Sequence, residues 1–154
     1  MEKHSHPEIV RVVEIPACQM VVSECGMYGD GKLEAFNEWF GALPRTHSIN
    51  DFLAFDSERG GFVWYYVYQN GMQVPNGFGI IDFPGGLYAV VTGVDGCDNT
   101  EAMAAVNAFL AASEVFAKDP TRQELGNIIT SPVAAKAIGY EQMDYYTPIK
   151  IIEK

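Results

Sequence analysis

Cysteine, basic residues and long apolar runs are all in short supply, and each shortage closes a class of function. The three cysteines, Cys18, Cys25 and Cys97, are odd in number and never spaced C-x-x-C. That argues against a disulfide framework or a closed zinc site and points to a reducing compartment, the cytoplasm. Ten Lys and Arg face twenty Asp and Glu, a formal net charge of −10. No basic run reverses this locally, so the field repels phosphate backbones and anionic membrane surfaces. Direct nucleic-acid binding is not expected, whereas a neutral or cationic ligand is tolerated. The charge-free stretch from Gly61 to Ile81 contains Gln69, Asn70, Gln73, Pro75 and Asn76, whose polar groups would go unpaired in lipid. Met1 to Glu8 holds no apolar signal region. Histidine is as sparse: His4 and His6 offer two ligands near a chain end, and His47 has no Cys or Ser companion at an informative spacing. No metal and no cofactor are expected.

What is present is ordinary globular composition. The chain has 154 residues, 48% of them hydrophobic and 19% charged, which suits one domain over residues 1–154 with its own core. Residues 9–27 read as one long strand or a bent strand pair, broken at Pro16. Leu33, Phe36, Phe40 and Leu43 mark one face of a helix that starts at Lys32 and stops at Pro44. Strands follow over 52–55 and 62–69, then a long one over 78–92, kinked at Pro84-Gly85-Gly86. Asp98 or Asn99 caps a second helix, with Glu101 closing the cap and Met103, Val106, Phe109 and Leu110 inward, running as far as Asp119-Pro120. A strand over 124–130, a helical turn over 132–138 and a last strand over 143–152 complete the chain. Element order repeats: residues 8–70 and 78–153 each give strand, helix, strand, strand. The expected fold is α+β, with two β-α-β-β halves related by a pseudo-twofold. Each half is a curved antiparallel sheet backed by a helix, and a ligand cleft lies between them.

Strand 62–69 alternates in face. Phe62, Trp64, Tyr66 and Tyr68 point one way; Val63, Tyr65 and Val67 point the other. Flat, rigid aromatics with polar rims suit an apolar guest, and a packed sheet core is the plainer reading of the same pattern. Trp39, one step off the first helix's stripe, either widens that stripe or caps a pocket. Four acids lie near these segments: Glu101, Glu114, Glu124 and Glu141. Glu141, just before the last strand, is the one expected in the pocket, where a buried carboxylate attracts cations. Pro84-Gly85-Gly86 has neither the spacing nor the following helix of a phosphate loop, and reads as a bulge that re-aims Tyr88.

Three stretches carry a resemblance. They are Val13-Glu14-Ile15-Pro16-Ala17, Asp82-Phe83-Pro84-Gly85-Gly86-Leu87-Tyr88-Ala89-Val90, and Met143-Asp144-Tyr145-Tyr146-Thr147-Pro148-Ile149. Together with the element order they resemble the GyrI-like small-molecule-binding domain, the effector-binding module often attached to AraC-type transcription regulators. The resemblance implies a duplicated fold with a cavity between its halves, and it places Tyr88 and Tyr146 at aromatic positions facing that cavity. The family often has a Glu in the strand before the last; here Gly126 stands at the matching place.

The function expected on this basis is a stand-alone binding domain for hydrophobic or aromatic compounds. It would sense or sequester them, with a link to transcription regulation or multidrug response. Its ligand contacts would be Trp39, Trp64, Tyr66, Tyr68, Tyr88, Glu141 and Tyr146, and its partner a small hydrophobic or cationic molecule. Two alternatives stand beside it. One is a GyrI-like hydrolase acting on cyclopropane-bearing compounds; the other is an inhibitor module that holds a protein partner.

Overall fold

The computed structural model of the protein describes residues 10–44 and 51–153; His4, His6 and His47 lie outside them. The first strands and helix are β1 (Arg11–Ile15), β2 (Cys18–Val22) and α1 (Lys32–Gly41), followed by β3 (Asp51–Asp56), β4 (Gly61–Val67) and β5 (Gly79–Phe83). Then come β6 (Gly86–Val94), α2 (Thr100–Ala112), β7 (Phe116–Lys118), β8 (Leu125–Ile128), α3 (Pro132–Ile138) and β9 (Gln142–Ile151). The fold is α+β, and every strand pairing described is antiparallel. No helix among the described residues is long and apolar enough to cross a membrane.

The described residues fall into two compact units. A central unit covers Pro16–Gly85, and a terminal unit joins β1 to the chain from Gly86 onward. Both crossings between units come where the sequence has a backbone breaker, Pro16 or the Gly85-Gly86 pair.

In the central unit the strand order is β3-β4-β2-β5. Helix α1 begins at Gly31, whose positive φ of 93° suits a residue without a side chain. The Glu34 carboxylate accepts the N–H groups of Gly29 and Gly31 at 2.7 and 3.0 Å, and Asp30 accepts that of Lys32. The helix therefore starts with two of its otherwise orphan donors, those of Gly31 and Lys32, satisfied. Its inward stripe, Leu33 and Phe36, is fully buried, and Phe36 packs with Trp39, Phe40, Trp64 and Phe78.

In the terminal unit β6 lies between β1 and β9, and the far edge of β9 carries both β8 and β7. Helix α2 covers one face through Val106, which packs on Ala89, Val91 and Ile149. Alternation along the strands then assigns the faces. Leu87, Ala89 and Val91 face α2, while Tyr88, Val90 and Thr92 face away from it.

Two expectations about α2 change. It ends at Ala112 rather than running to Asp119. The Ser113 hydroxyl accepts the N–H groups of Val115 and Phe116, which turns the chain so that 116–118 becomes a strand on β9. Asn99 is the N-cap but makes no capping bond with its side chain; Asp98, the other residue expected to cap, accepts the Thr100 N–H. The Asn99 side chain bridges Val94 and the Tyr145 hydroxyl instead. The long strand expected over 78–92 is two strands, since β5 pairs with β2 and β6 pairs with β1 and β9.

Candidate ligand-binding face

The residues expected to contact a ligand sort into two groups. Trp39, Trp64, Tyr66 and Tyr68 belong to the central unit and share one cluster with Phe36, Phe40 and Val21. The Trp39 and Tyr66 rings meet edge to face at 6.0 Å, and Phe40 lies 5.1 Å from Trp64. Both indoles are tied down: Trp39 Nε1 donates to the Gln73 carbonyl and Trp64 Nε1 to Asp51 Oδ2. Burial raises the pKa of Asp51 against the lowering effect of that indole bond. This cluster is thus the packing between α1 and its sheet. Tyr66 also borders a recess of about 400 Å³ with Leu43, Pro44 and Met72.

Tyr88 and Tyr146 stand in the terminal unit, on the sheet face away from α2. Their rings meet edge to face, 5.9 Å apart at 81°. Cross-strand register builds three rows on this face. Val13, Tyr88 and Pro148 form one; Arg11, Val90, Tyr146 and Leu125 form the next; Thr92, Asp144 and Asn127 form the third. Two rows are mostly apolar and the third is polar.

In the polar row, Asp144 is only 3% exposed. Thr92 Oγ1 donates to its Oδ1 at 2.6 Å, and Arg11 Nη2 donates to its Oδ2 at 2.8 Å. The row runs from exposed Thr92 inward to Asn127, which is 2% exposed. Neither Asn127 Nδ2 nor Oδ1 has a hydrogen-bond partner among the described residues.

Tyr88 has a second neighbour. The Arg122 guanidinium lies 4.8 Å from its ring centroid, which is cation–π distance. Arg122 Nη2 donates to the carbonyls of Leu87 and Ile149, and Nε donates to Asp119 Oδ2. Asp119 also accepts from Thr121, and these bonds lower its pKa to about 2. Burial raises the Tyr88 pKa, with Arg122 opposing the rise. Gly86 makes room for this arrangement: a Cβ there would stand 2.5 Å from Arg122 Nη1. Gly86, in the Pro84-Gly85-Gly86 stretch read from sequence as a bulge, leaves space for a guanidinium.

Glu141 is exposed and precedes β9, and its carbonyl accepts the Asp95 N–H. Five residues of strand, about 16 Å, separate it from Tyr146, so it does not join the tyrosine pair. Gly126 pairs across from Tyr145, on the α2 side; the β8 residues beside Tyr146 and Asp144 are Leu125 and Asn127. No group of three or more His, Cys, Asp or Glu among the described residues could hold a metal ion. Asn127 and Arg122 carry no signal in the sequence, because an isolated Asn in a short strand and an Arg in a loop look like surface residues until register is known.

No protein-family model and no curated protein matches the sequence. Solved structures do match the fold. A hydrolase from Listeria innocua superposes with a TM-score of 0.66 at 9% identity, over 92% of each chain. The EcmrR C-terminal domain gives 0.62 at 10% identity, over 93% of this chain and 98% of that one. SAV2435 bound to tetraphenylphosphonium gives 0.55 at 9%, over 92% and 93%. The fold is GyrI-like. Within the GyrI-like fold these neighbours include a hydrolase, a domain of a protein solved on DNA and a protein holding an organic cation.

Proposed function

We propose that this chain is a small-molecule-binding domain whose ligand rests on the Tyr88–Tyr146 face of the terminal unit. The observation carrying this reading is the edge-to-face tyrosine pair beside a polar row that ends in a buried amide with no partner among the described residues. Tyr88 and Tyr146 are 1% and 7% exposed, so the ligand is taken into an enclosed site walled by aromatic rings with a few convergent polar groups, as ligand sites commonly are. The Trp64–Tyr68 cluster packs its rings against α1, and no buried unpartnered polar side chain lies beside it among the described residues. Sensing or sequestering a hydrophobic compound, with a regulatory or drug-response role, is the biological use we infer. The net charge of −10 argues against any direct phosphate-backbone contact.

A hydrolase is the second reading, favoured by a carboxylate and two tyrosines on one face. Asp144 suits it poorly, because both its oxygens are held by Thr92 and Arg11.

Nile red, a neutral apolar dye, tests the proposal. The folded chain is expected to bind it saturably, and Tyr146→Ala is expected to weaken binding by about 1–3 kcal/mol, the scale of a lost aromatic contact. Trp64→Leu lowers the melting temperature and leaves dye affinity unchanged. If Trp64→Leu abolishes dye binding in a folded protein while Tyr146→Ala does not, the ligand sits elsewhere.

A further inference from the structure

An Asn side chain offers two N–H donors and an acceptor oxygen. At Asn127 all of these are buried, and neither the oxygen nor the nitrogen has a partner among the described residues. Burying an unpaired amide is costly, and an apolar residue of similar shape would avoid the cost. Asp144 lies directly across the strand pair from Asn127; its two carboxylate oxygens accept from Thr92 and Arg11, and it makes no hydrogen bond to the Asn127 side chain.

The charges on the same face bear on what kind of molecule would satisfy that amide. An organic cation is usually held by a carboxylate and by aromatic faces. Here the Asp144 carboxylate is neutralised by Arg11, and the Tyr88 ring already carries the Arg122 guanidinium at 4.8 Å. Arg122 is itself fixed by Asp119 and two strand carbonyls, so it is not a loose side chain that a ligand displaces cheaply. Both anchors for a cation are taken by the chain's own arginines, whereas the anchor for a neutral donor–acceptor group is open.

We propose that Asn127 is the specificity-determining residue of this face, and that it selects a neutral aromatic ligand bearing an amide-like donor–acceptor group over a lipophilic cation. The inference rests on the binding-face reading above and adds the ligand's chemical class. The polar row of Thr92, Asp144 and Asn127 would guide the ligand's polar group inward from its exposed end, while Tyr88, Tyr146 and Leu125 receive its rings.

Three probes decide the matter by equilibrium dialysis against the full chain. They are benzanilide, trans-stilbene (the same shape without the amide) and tetraphenylphosphonium. The wild type is expected to bind benzanilide at least tenfold more tightly than either of the others. In Asn127→Leu, benzanilide falls to the stilbene level, stilbene binds as before, and the ligand-free variant melts no lower than the wild type. Asn127→Asp, which keeps the side chain's shape, is expected to lose benzanilide and gain tetraphenylphosphonium. An unchanged benzanilide-to-stilbene ratio in Asn127→Leu overturns the proposal, as does tetraphenylphosphonium binding most tightly to the wild type. So does a melting temperature several degrees lower in ligand-free Asn127→Leu, which would mean that the amide has an internal or water partner. Stilbene binding without discrimination defeats this inference alone. Failure of all three probes to bind defeats the binding face with it.

Discussion

Gly86 and Arg122 depend on one another more closely than their separation along the chain suggests. Gly86 has φ of +133°, and the space where its Cβ would stand is filled by the Arg122 guanidinium. Two penalties therefore meet in Gly86→Ala: backbone strain, and a clash with a side chain pinned by Asp119, Leu87 and Ile149. We expect Gly86→Ala to cost roughly 1–3 kcal/mol and Arg122→Ala about 1.5–3 kcal/mol. The double variant should cost less than their sum by about 0.5–3 kcal/mol, because the clash disappears with the arginine. Urea unfolding of the four proteins measures this, and strictly additive energies would contradict the contact. Single residues were unevenly legible in the sequence. Tyr88 and Tyr146 stand out by the motifs around them. Asn127 does not, because the importance of a lone amide depends on which face of β8 it occupies, and that face is set by pairing with β9.

At the scale of elements, the helices show how far local pattern reaches. Helix α1 is readable from Leu33, Phe36, Phe40 and Leu43, since a 3.6-residue stripe needs no knowledge of the rest of the chain. Strand β7 is not readable: three residues carry no period, and 116–118 is a strand because β9 offers it a free edge. The break between β5 and β6 is hidden for the same reason, as their partners come from distant sequence. The aromatic alternation in β4 is correctly legible, while its use against α1 is not, because a ligand wall and a helix-covered core share one pattern. Asp51 tests the packing there. It lies at the start of β3, and burial raises its pKa while the Trp64 indole bonds it. A carboxyl with a raised folded-state pKa favours the folded state below its unfolded pKa, and that contribution is lost as pH rises through the folded value. At pH 7 the ionised form is therefore the unfavourable one. Asp51→Asn keeps an oxygen for the indole and should raise the melting temperature at pH 7. The gain should shrink as pH falls toward the unfolded value near 3.8. A gain that does not vary with pH would mean that the carboxyl is well solvated.

Across the whole molecule, the net charge of −10 and the two compact units set the terms for function. The charge is legible directly. Element order predicted the α+β class, but it did not show that β1 joins the later part of the chain and β5 stays with β2, since antiparallel pairing of remote strands leaves no mark on composition. On the function proposed above, ligand binding belongs to the tyrosine-bearing face of the terminal unit. The most direct test is a map of backbone amide chemical shifts as benzanilide is titrated into the folded chain. The largest changes are expected in β6 around Tyr88 to Thr92, in β8 around Asn127, and in β9 from Asp144 to Thr147, with α1 nearly unmoved. Changes concentrated instead at Leu43 and from Gln69 to Gln73, around the recess beside Tyr66, would contradict it.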